Sequence, residues 1–123
     1  MKRISLSTMT VQDLVYLFSQ IVLAQDDALL GAEYAKFNRL FDRMMDVSNE
    51  LKSREGDQRV KLLPLFKHPS MQVRLQAARL TMAVAPVEAR AQLQAIADSN
   101  WFPQAGDAGM SLLNLDRGVF KPE

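Results

Sequence analysis

The sequence predicts an all-α protein, and three observations carry that prediction. Leu, Ala and Met supply 38 of the 123 residues, against 15 for β-branched Val, Ile and Thr. Side chains unbranched at Cβ lose the least rotamer freedom in a helix. Gly and Pro number five each, mostly where helices should stop, and no stretch alternates with the period of two expected of a strand.

The elements follow in order. Thr10-Val11-Gln12-Asp13 reads as a capping box opening the first helix. Val11, Leu14, Val15, Phe18 and Ile21 then recur at helical spacing as a buried stripe. Tyr16, Leu17, Val22 and Leu23 widen that stripe beyond what one neighbouring helix covers, so the helix is expected either to be central in the fold or to be covered by a second subunit in a homodimer. Asp26-Asp27 suits the start of a second helix, where carboxylates meet the positive end of the macrodipole. Its face, to about Arg54, is Leu30, Tyr34, Phe37, Phe41, Met44, Ser48 and Leu51.

Gly56 and Asp57 read as the stop of helix two and the N-cap of helix three. Helix three carries Val60, Leu62, Leu63, Leu65 and Phe66, with Pro64 bending it. Ser70 caps a fourth helix with Val73, Ala77, Leu80 and Val84 on its buried face. Pro86 fits the first position of a fifth, whose stripe is Ala89, Leu93, Ile96 and Ala97. Asp107 is expected to cap a sixth helix ending near Arg117. Gly118 then stops the chain, and Val119 and Phe120 fold back as the accompanying apolar contact. Six helices make a single domain of three antiparallel hairpins (10–55, 57–85, 86–118), stacked as a short right-handed α-solenoid.

Residues 59 to 84 carry the most specific pattern. Leu62-Leu63-Pro64-Leu65-Phe66-Lys67-His68-Pro69, Val73-Arg74, Ala77-Ala78 and Leu80 resemble a HEAT-type repeat. Paired alanines allow close helix approach, and the Arg stem packs between elements. The turn departs from the HEAT pattern: it holds His68 and Ser70 where an acid often pairs with the Arg. The longer strings Gln72 to Ala78, Ala85-Pro86, Arg90 to Leu93 and Gly106 to Met110 are similar to a family of small bacterial helical-repeat domains of unknown function. The resemblance implies a scaffold for binding proteins. One bacterial branch of HEAT-like proteins repairs alkylated DNA.

Composition bounds the chemistry. Fifteen basic and 14 acidic residues leave a net charge of +1, and there is no cysteine. Disulfides, thiolate metal sites and a Cys nucleophile are therefore excluded. The longest apolar-rich run, Leu14 to Ala24, is too short to span a bilayer, and the segment after Lys2-Arg3 is too polar for a signal peptide. The expected location is cytoplasmic, without membrane partners. No dinucleotide, P-loop or zinc motif is present, so no catalytic residue, metal or cofactor is assigned.

Candidate binding residues come from two places. Residues 4–35 carry Asp13, Asp26, Asp27 and Glu33 and no base, a local charge of −4. Residues 58–87 carry Arg59, Lys61, Lys67, Arg74 and Arg79 and no acid, a local +5 that suits nucleic acid or an acidic partner. Against this, Arg74 and Arg79 lie about 140° apart on a helix. Trp101 and Phe102, adjacent aromatics before Pro103, form either an interface anchor or, the favoured expectation, a plug over the core. His68, the single histidine, is expected to cap a helix C-terminus as a cation. Three functions are ranked: a protein-binding module first, nucleic-acid binding through 58–87 second, and an alkylated-base glycosylase using Trp101 with Asp98 or Asp107 last.

Overall fold

A computed structural model describes residues 5–123. Five α-helices and two 3-10 segments occur among them, and no strand: α1 Val11–Leu30, α2 Tyr34–Ser53, α3 Met71–Leu80, α4 Pro86–Asp98 and α5 Gln104–Asp116. The 3-10 segments are Leu6–Thr8 and Gln58–Lys67. The chain divides into two compact units, one ending at Lys61 and one spanning Leu62–Glu123.

In the first unit α1 packs against α2. The capping box opens α1 as expected: Thr10 Oγ1 accepts the Asp13 N–H at 3.0 Å. Leu14, Phe18, Ile21, Val22 and Ala28 from α1 are buried, as are Leu40, Met44, Val47 and Leu51 from α2. Buried Gln25 donates to Met44 Sδ at 3.4 Å, which gives a polar group in an apolar setting a partner. Arg54, just past α2, clasps the preceding 3-10 turn. Its guanidinium donates to the carbonyls of Leu6 and Met9 and pairs with Glu50 at 2.7 Å.

The break between the first two helices differs from the expectation. Asp26-Asp27 does not start a helix; α1 continues to Leu30 because nothing before Gly31 interrupts its hydrogen bonds, and Ala28 is a core residue. The turn is a Schellman motif. The Glu33 N–H bonds Ala28 O and the Ala32 N–H bonds Leu29 O. Its left-handed residue is Ala32, at φ +55°, not Gly31 at −89°. The later break moves Leu30 and Tyr34 off the core, and both are largely exposed, as Phe41 is in part.

In the second unit α3, α4 and α5 pack pairwise. Leu75, Ala78, Met82, Ala89, Leu93, Ile96, Ala108 and Leu112 form one buried cluster, with Phe66, Met71, Ala97 and Leu115 half-buried against it. Ser70 Oγ caps α3 by accepting the Val73 N–H at 3.3 Å, and Pro86 opens α4. Helix α3 stops at Leu80, before Val84, and turns through Thr81–Val84.

The third expected helix is a 3-10 segment rather than an α-helix. Pro64 has no N–H to give an α ladder, and its ring clashes with the carbonyl four residues back. Asp57 still caps this segment: its carboxylate accepts the Arg59 N–H at 3.3 Å. The final helix starts four residues earlier than expected, with Pro103 and not Asp107 at its N-cap. Backbone bonds from Ala105 to Trp101 O and from Asp107 to Pro103 O begin the helix at Pro103. Gly118, at φ +69°, ends α5 as expected, and the chain folds back with the Val119 N–H on Asn114 O at 2.9 Å, but the side chains of Val119 and Phe120 stay exposed.

Candidate functional site

The five basic residues of 58–87 are not equivalent. Arg59 is buried, and its guanidinium grips the Asp57 carboxylate through Nε at 2.8 Å and Nη2 at 2.6 Å. This two-point bond holds the Asp57 carboxyl below the usual carboxylate range, with burial opposing it. Arg74 donates from Nε to the backbone carbonyl of His68. The carbonyl thus takes the place of the missing turn acid.

Arg79 is half-buried on α3 and donates from Nε to Ser111 Oγ on α5 at 2.9 Å. Longer contacts of 3.4 Å run to Gln76 Oε1 and Asp107 O. Burial lowers the Arg79 pKa, because it penalises the charged form, and the Asp107 charge opposes that shift. Only Lys61 and Lys67 are exposed. The cationic segment is therefore mostly intramolecular wiring, with the three arginines tied to a carboxylate, a carbonyl and a helix partner.

His68 acts as an acceptor, not as a capping cation. Its Nδ1 accepts the Ser70 N–H at 3.0 Å, closing the turn that positions the Ser70 cap. Asp107 lies in the first turn of α5 beside Arg79, and Asp98 accepts from Gln94 Nε2 at 3.0 Å. Among the described residues no three His, Asp or Glu side chains gather to hold a metal ion.

The aromatic pair gives the clearest departure. Trp101 is 64% exposed and Phe102 68%, so neither plugs the core. At the start of α5 it is Gln104, Ala105 and Ala108 that are buried instead. Gln104 donates to Gln72 Oε1 at 2.9 Å, a buried polar link from α5 to α3. Phe102, joined to Pro103 by a cis peptide bond, lies over Gly106, its ring 3.8 Å from where a Cβ would stand on that glycine.

Gly106, Met110, Leu113 and Arg117 share the solvent side of α5 within about 60°. Met110 and Leu113 are exposed, and neither is among the residues the sequence suggests for binding. With Phe102 they make an outward apolar face. The signal was present in the sequence: Gly106, Met110 and Leu113 recur at helical spacing once α5 is known to begin at Gln104.

Of the four residues expected to mediate a homodimer, Val22 is fully buried within the chain and Leu17 and Leu23 are half-buried. Tyr16 alone is largely exposed. No helix among the described residues is long and apolar enough to cross a membrane.

Residues 12–116 match the family described as Domain of unknown function (DUF2019). The chain is also similar to a solved structure, the protein RPA1889 from Rhodopseudomonas palustris CGA009. The two are 61% identical with a TM-score of 0.95, over 98% of this chain and all of that one. No curated protein matches the chain.

Proposed function

From a chain that belongs to the DUF2019 family, we propose a protein-binding module, acting in the cytoplasm, whose HEAT-like helices present an apolar face to a protein partner. The observation that carries this reading is the outward Trp101–Phe102 corner, continued along α5 by Met110 and Leu113. Four large apolar side chains on one loop and one helix leave water contact that burial in an interface would relieve. Aromatic anchors of this kind dominate interface energetics. The nucleic-acid reading draws less support, because Arg59, Arg74 and Arg79 already make intramolecular bonds.

A photo-crosslinking residue placed at position 102 tests the proposal in cells of the native host. The expected result is one discrete adduct that Met110→Glu and Leu113→Glu abolish, and that the same probe at exposed Glu88 does not give. A smear identical at both positions would overturn it.

A further inference from the structure

The two units differ in what their exposed surfaces offer, and α1 carries a second surface unrelated to the Trp101 corner. At 100° per residue, Gln12, Asp13, Tyr16, Gln20, Leu23, Asp27 and Leu30 fall within a sector of about 100°. All are exposed except half-buried Leu23. Tyr16, Leu23 and Leu30 stand seven residues apart, so they form a ridge about 21 Å long at 1.5 Å per residue. Its ends are the most open points: Tyr16 is 67% exposed and Leu30 80%. A seven-residue spacing drifts only about 20° per step, which one further helix can follow by slight supercoiling.

Charge decides what kind of helix. Asp13 and Asp27 run along one edge of the ridge, and α1 contains no Lys, Arg or His. Asp26 lies about 40° beyond Leu30 on the opposite edge, is half-buried and has an interaction of its own. Pairing two copies of α1 through the ridge would bring carboxylates together with no cation from either helix, which disfavours self-association here. A helix with an apolar stripe and a Lys/Arg-rich flank satisfies both halves of the surface.

We propose that the solvent face of α1 docks a cationic amphipathic helix of a partner protein, with Tyr16, Leu23 and Leu30 as the apolar contacts and Asp13 and Asp27 as the charge-selecting edge.

The probe is a blocked 21-residue peptide with two leucines per heptad and lysines flanking them, alongside the same peptide with glutamates for lysines. Binding to the full chain is read by fluorescence anisotropy of labelled peptide. The lysine peptide is expected to bind and the glutamate peptide not to. Leu30→Glu or Tyr16→Glu should weaken binding by about tenfold or more, and Asp13→Lys with Asp27→Lys should move preference toward the glutamate peptide. Met110→Glu on α5 should change nothing, which separates this surface from the one proposed above. Circular dichroism confirms that each variant folds; if an apolar replacement does not, the aspartate pair decides. Equal binding of the two peptides, or affinity indifferent to every α1 change, would overturn the proposal. So would light scattering that shows a dimer dissociated by Leu30→Glu, since a second copy would then cover the ridge.

Discussion

Replacing Arg79 by alanine separates wiring from recognition in the cationic segment. The Nε bond to Ser111 at 2.9 Å is charge-assisted and well formed, and bonds of that kind contribute about 1.5–3 kcal/mol. The two contacts at 3.4 Å sit at the edge of hydrogen-bonding distance and add little. Loss of the packed stem costs about 0.8 kcal/mol for each methylene that is fully buried, and Arg79 is only half-buried. Desolvation of the guanidinium, visible in its lowered pKa, offsets part of the sum. The net expectation for Arg79→Ala is a loss of about 2 kcal/mol. Arg79→Met keeps the stem volume and removes the desolvated charge, so it should lose less, about 1 kcal/mol or under. Lys67→Ala, at an exposed position, should stay within about 0.5 kcal/mol of the parent. Urea unfolding followed by far-ultraviolet circular dichroism, with unchanged slopes, measures all three. If Arg79→Ala matched Lys67→Ala, the reasoning would fail, and Arg79 would rejoin the cations available to a ligand.

Three further predictions rest on other parts of the chain. Ala32→Gly should stabilise the protein by up to about 1 kcal/mol in the same urea assay, because Ala32 holds the left-handed position of the α1–α2 turn; a loss of stability would show that its methyl group packs. The Asp57 carboxyl is depressed in the fold, so its contribution is present above the unfolded carboxylate pKa of about 3.9 and is lost as pH falls through the lower folded value. Stability should therefore fall less steeply below about pH 4 in Asp57→Asn than in the parent, and parallel curves would contradict the Arg59 pairing. Trp101 is the single tryptophan, so iodide should quench the native protein's indole emission nearly as well as that of the unfolded chain. Strong native protection would place the ring inside.

Much of the secondary structure was legible because its signals are local. Thr10, Ser70 and Pro86 sit at helix starts, and Gly118 at a helix end, as their backbone chemistry requires. The errors came where two local signals competed. Asp26-Asp27 looks like a helix start, yet a helix already under way gains a bond with every residue added and runs on until something stops it. Asp107 looks like a cap, yet Pro103 starts the helix first. The basic segment illustrates a different limit. Its charges were countable, but whether each faces water or an internal acceptor depends on residues such as Ser111, 32 positions away.

The sequence by itself determined an all-helical chain, its periodic core positions and most of its caps, because propensity, capping and periodicity act over one or two turns. Only the tertiary structure decided which of those helices bury which neighbours. It tied Arg79 to Ser111 on another helix and left Trp101, Phe102, Tyr16 and Leu30 in water. The reason is physical: burial is a property of what packs against a residue, and hydropathy along the chain cannot say which apolar side chains find a partner and which wait for one.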